Sequence, residues 1–115
     1  MTSHAVDELV VLQPSGNLIE GPACDELERE LFTRAEQGLG VVVDLSRARV
    51  LTAHCLGVLA RAQQLARANG GGLVLCGADS AQRWLLDVTN LACALPLYAS
   101  EADAVTYLSA ARAVA

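Results

Sequence analysis

The stretch "VVVDLSRARVLTAHCLGVLARA", Val41 to Ala62, decides how this chain folds. It opens on an unbroken apolar run, the pattern of a strand covered on both faces. A short loop follows, then a helix from about Ala53 to Asn69, stopped by Gly70, Gly71 and Gly72. The apolar residues of that helix fall at Cys55, Val58, Leu59, Ala62, Leu65 and Ala66, a helical core face. The opposite face carries His54, Gly57, Arg61, Gln64 and Ala68. Cys55 therefore points inward, while His54 points outward, one turn from Gly57 and two from Arg61. Thr52 is placed to cap the helix, without the Glu or Gln three residues on that would complete a capping box.

Upstream, Leu9–Leu12 reads as a strand, residues 14–17 as a turn, and Leu18 and Ile19 as a second strand, giving a hairpin. Pro22 opens a helix whose Leu27, Leu31 and Ala35 share one face, and Gly38 ends it. Downstream, "LVLCG" is another buried strand. "DSAQRWLLDVTN" is a helix capped by Asp79 or Ser80, "LPLYAS" is a short strand, and a closing helix follows with Ser100 as its cap. The order is β-β-α-β-α-β-α-β-α. It predicts an α/β layer structure with a mixed sheet of about five strands and about four helices. The 115 residues are expected to form a single domain, with residues 1–7 as a flexible tail.

Composition excludes several functions. Net charge is −5, and the eight basic residues, all Arg, form no stripe, which argues against nucleic acid and anionic membrane surfaces as partners. Met1–Asp7 has no basic region of the signal-peptide kind. The longest uncharged run, the 13 residues Val88–Ser100, contains Pro96 and falls short of a membrane span. The cytoplasm is the expected location. Cys24, Cys55, Cys76 and Cys93 form no CxxC, so a zinc ribbon or thioredoxin-type site is not supported. In a reducing compartment they read as small core residues. Residues 70–72 lie between helix and strand, the reverse of a phosphate loop. No cofactor, metal or catalytic residue is expected. Cys55 and His54 are adjacent on a helix and so diverge by about 100°. The other histidine, His4, lies in the expected tail.

The whole chain resembles the STAS domain of bacterial anti-sigma factor antagonists. The resemblance rests on "PSGNLIEG", on Val41–Ala62, on "GGGLVLCG" and on "AQRWLLDVTNLACALPLYASEADAV". Family members read close to "SGELD", "VVLDLSGVTFIDSSGLGVLL", "GGRLVLVG" and "VRRVLELTGLDELFPVYDSLEEAL". The family's second Ser in Asp-Ser-Ser-Gly-Leu is phosphorylated by a partner anti-sigma kinase, which ends the antagonist's binding. Laid on this chain, the Asp falls on Thr52, the first Ser on Ala53, the phosphoacceptor on His54 and the Gly on Cys55; Leu56 and Gly57 match. The acid of "SGELD" falls on Ile19. The chain thus lacks the acceptor hydroxyl and both acids, and Thr52 is the one hydroxyl close to the site.

The resemblance implies a non-catalytic regulator that binds an anti-sigma factor or anti-sigma serine kinase through Thr52, Ala53, His54, Gly57 and Arg61. Two other readings stand beside it: a STAS subunit of a larger assembly, such as a lipid-transporting ABC complex or a sensory complex, and a cysteine-based redox switch. Oligomeric state, monomer or weak dimer, stays open.

Overall fold

The computed structural model describes residues 2–6, 9–91 and 94–114, with side chains for 3–5, 9–91 and 94–109. Five strands form the main sheet: β1 (Thr2–Val6), β2 (Leu9–Gln13), β4 (Gly40–Asp44), β6 (Gly72–Cys76) and β7 (Leu97–Tyr98). Their spatial order is β1-β2-β4-β6-β7; β1 runs antiparallel to β2, and every other pairing is parallel. Two further strands, β3 (Gly16–Leu18) and β5 (Ala48–Leu51), pair with each other, parallel, in a separate small sheet. The helices are α1 (Pro22–Glu36), α2 (Ala53–Ala68), α3 (Ser80–Val88) and α4 (Glu101–Val114). Among the described residues the α/β fold has the five-stranded mixed sheet and four helices expected.

The unbroken apolar run of β4 has the cause its sequence implies: all five of its residues are buried. Side chains alternate across a strand. Val41 and Val43, with Leu73, Leu75 and Leu12, face a core layer closed by Leu27 and Leu31 of α1 and Val58 and Leu59 of α2. Val42, with Val74, Cys76, Leu9 and Val11, faces a second layer closed by Ala104 and Leu108 of α4. The sheet is therefore sandwiched, and the order of its parallel strands follows from the helices that cross between them.

Three expectations require correction. Residues 2–6 are a strand rather than part of a flexible tail, and His4, paired in register with Val11, places Nε2 2.9 Å from Glu101 Oε1. Its described side chains, Ser3, His4 and Ala5, are all exposed, and main-chain pairing with β2 sets it at the sheet edge. The hairpin is accordingly β1–β2, and the second expected strand, around Leu18, leaves the main sheet to pair with β5. β5 itself falls where a loop was expected. Arg49 and Val50 are both exposed, so no alternation marks it.

Parallel helices α1 and α2 meet at both ends. At their carboxyl ends, Gly38 and Gly70 adopt φ of 70° and 85° and close each helix in a left-handed turn. There the backbones nearly touch: a Cβ on Gly71 would sit 2.4 Å from the Leu39 carbonyl oxygen, and one on Gly38 2.2 Å from that of Asn69. The core face of α2 differs from the expected one at three positions: Leu56, outside the expected set, is fully buried. Leu65 is half-buried, and Gln63 is buried. The Gln63 amide donates to the carbonyls of Leu73 (2.7 Å) and Ala94 (3.0 Å), and its oxygen accepts from the Leu73 N–H (2.7 Å). This one side chain welds α2 to the start of β6. Gln63→Leu should orphan buried backbone groups at about 1–3 kcal/mol each and lower stability by about 2–4 kcal/mol. Chemical denaturation of the variant measures it, and a loss under about 1 kcal/mol would contradict the assigned role.

Candidate functional site

Thr52 follows β5 directly, and the pairing of Leu18 with Leu51 sets β3 beside it. The Thr52 backbone is extended, and its hydroxyl works in both directions. It accepts from the Cys55 N–H at 3.4 Å and donates to the Leu18 carbonyl at 3.1 Å. The expected cap is therefore formed, and it also ties the small sheet to the helix. Asp79, with Gln82, caps α3 in a full capping box, and Ser100 Oγ accepts from the Asp103 N–H. At the end of β4, Asp44 takes the Ser46 N–H at 2.9 Å and the Gln13 amide at 3.0 Å.

From this cap the expected site residues fan out as the helical phase requires. Ala53 and His54 are exposed, Gly57 is half-buried and Arg61 is exposed. Cys55 is fully buried. A Cβ on Gly57 would meet only the Arg61 guanidinium, at 3.9 Å, so no packing demands a glycine there. No acid stands in the first turn of α2.

Four neighbours come from other elements, and of these only Ile19 figured in the sequence reading of the site. Arg61 reaches Glu28 of α1 at 3.5 Å. Cys24 of α1 lies under Cys55, with the two sulfurs 2.8 Å apart. Exposed apolar side chains flank the cap: Ile19, next in line after the Leu18–Leu51 pair, is 49% exposed, and Val50 is 45% exposed. Burial first, then the hydrogen bond to Cys24, pushes the Cys55 thiol up to about 12, so in the closed core it stays a protonated thiol near neutrality. Among the described residues no cluster of His, Cys, Asp and Glu could hold a metal ion, and no helix is long and apolar enough to cross a membrane.

A family model described as the STAS domain matches residues 2–104. The chain belongs to the STAS domain family. Solved structures with this STAS fold include an anti-sigma factor antagonist from Mycobacterium paratuberculosis. It is 24% identical, with a TM-score of 0.82 over 94% of this chain and 92% of that one. The anti-sigma factor antagonist SpoIIAA in its unphosphorylated form is 16% identical, with a TM-score of 0.79 over 95% and 96% of the two chains. The Bacillus cell fate determinant SpoIIAA in its phosphorylated form is 18% identical, with a TM-score of 0.71 over 92% and 96%. At these identities the likeness establishes the STAS fold alone. Among curated proteins no sequence matches the chain.

The phase of α2 makes a stability prediction for this STAS domain. Cys55→Ser places a hydroxyl in the core at a cost of about 1–3 kcal/mol. His54→Ser should stay within about 0.5 kcal/mol of the parent. Gly57→Ala, with room for its methyl, should stabilise by about 0.5–1 kcal/mol through helix propensity. Denaturant midpoints in the reverse order would refute the outward placement of His54.

Proposed function

We propose that this STAS domain is a non-catalytic protein-interaction regulator of the anti-sigma factor antagonist kind. Its partner is an anti-sigma factor or anti-sigma serine kinase, docking on Thr52, Ala53, His54, Gly57 and Arg61. One observation carries the reading. The residue aligned with the family's phosphoacceptor, His54, stands exposed on the first turn of α2, beside a helix surface left open by Gly57. Exposed Ile19 and Val50 border it, as apolar residues border a surface that another protein covers. Gly57 costs α2 about 1 kcal/mol relative to alanine, and what it offers in return is close approach of a second backbone. Arg61 is an anchor type favoured in interfaces, and its exposed, solvent-screened pairing with Glu28 is weak enough for a partner carboxylate to compete.

The serine switch is absent from this face. Thr52 is the nearest hydroxyl, and both of its hydrogen-bonding directions are engaged, so a kinase would have to break the cap to reach it. Incubation with a cognate anti-sigma kinase and ATP should leave the intact mass unchanged; a phosphate on Thr52 would make Thr52 the working acceptor.

Binding tests the face directly. His54→Asp sets a carboxylate where family members carry phosphate and should weaken binding at least about tenfold, about 1.4 kcal/mol. Gly57→Arg should block docking while leaving the fold intact. Calorimetry against the anti-sigma factor encoded nearest this gene reads both. If both variants bind like the parent, this face is not the contact, and membership of a larger assembly becomes the better reading.

A further inference from the structure

Cys24 and Cys55 are the third residues of α1 and α2 and are both completely buried. Their sulfurs are 2.8 Å apart, with the Cys55 thiol donating to the Cys24 sulfur. A disulfide has its sulfurs about 2.0 Å apart, so bonding requires a closure of about 0.8 Å. Cys76, by contrast, packs in the opposite core layer, under α4.

We propose that Cys24 and Cys55 are an oxidative modification site, converted by a hydroperoxide into a disulfide that joins the first turn of α1 to the first turn of α2. The steps balance. The Cys24 sulfur attacks the peroxide O–O bond, which breaks; one oxygen stays as a sulfenic acid and the other leaves, with the thiol proton, as water from hydrogen peroxide or as the alcohol from an organic hydroperoxide. The Cys55 sulfur then attacks the Cys24 sulfur. The S–S bond forms, the S–O bond breaks, and the hydroxyl leaves as water with the Cys55 proton. The thiol pair loses two electrons and two protons, and the hydroperoxide is reduced.

The order of attack follows from the geometry. Cys24 lies on a helix turn with no side-chain cap, so fraying frees its sulfur first, whereas the turn bearing Cys55 is held by the Thr52 cap. Access follows from the helix end. The α1 cap position is Gly21, at φ 146°, with no side-chain capping bond, and Ala23, Asp25 and Glu26 around Cys24 are exposed. An uncapped first turn opens locally at far lower cost than the whole domain. The reaction is therefore slow and gated by fraying of α1, and its product is sealed once the turn recloses. If the partner face is the one proposed above, the bond fixes the turn that carries Thr52 and His54; the site itself does not depend on that reading.

Cleavage after arginine puts the four cysteines on four separate peptides: Cys24 on 1–29, Cys55 on 50–61, Cys76 on 68–83 and Cys93 on 84–112. The full chain, reduced and desalted, is treated natively with hydrogen peroxide, alkylated in denaturant and analysed by intact mass and tryptic mapping. The expected product is lighter by two hydrogens, with peptide 1–29 linked to 50–61, and dithiothreitol reverses it. Cys24→Ala and Cys55→Ala should abolish the link, and Cys76→Ala should keep it. No link, a link through 68–83 or 84–112, or a sulfenic or sulfinic acid on 1–29 without a link overturns the proposal. Each readout is made without any partner, so a failed docking experiment leaves this result standing and the converse also holds.

Discussion

Burial of β4 on both faces is the constraint from which the rest of the architecture follows. A strand with apolar side chains above and below needs a helical layer on each side, and α1, α2 and α4 supply them. Only at its end does the strand turn polar, with Asp44, whose carboxylate holds the Ser46 N–H and the Gln13 amide. That fixed corner launches β5, and β5 delivers Thr52 to the start of α2. The exposed turn that carries His54 is thus positioned by a chain of short-range contacts that begins in the centre of the sheet.

The parts of the fold read from sequence are those in which burial writes a period. The two-sided run of β4, the i, i+4, i+8 face of α1 and the mixed face of α2 all identify their elements, because a side chain's environment repeats with the backbone. The parts misread carry no such record. β1 pairs with β2 through main-chain hydrogen bonds, which leave little mark on residue type. β5 presents two exposed neighbours in succession, Arg49 and Val50. β3 is three residues long, too short to show a pattern, and its partner could not be named before β5 was known.

The same division runs through the site. The outward and inward placements of His54 and Cys55 are consequences of helical phase alone. The neighbours they meet are not. Glu28 and Cys24 come from a helix about thirty residues earlier in the chain, and nothing local specifies which turn of α1 will lie against which turn of α2. Gln63 shows the complementary failure. Its residue type places it outside, while the geometry of β6 supplies donor and acceptors that satisfy it within.

The near-contact of backbones at Gly38 and Gly71 has a consequence for how the helix pair is spaced. A side chain at either position would strike main chain, so at their carboxyl ends the distance between α1 and α2 is set by backbone. Helices of 15 and 16 residues, at 1.5 Å per residue, run about 22–24 Å from that point. At their far ends sit the paired sulfurs and the turn bearing His54, and there the distance is set by two small side chains, Cys24 and Cys55.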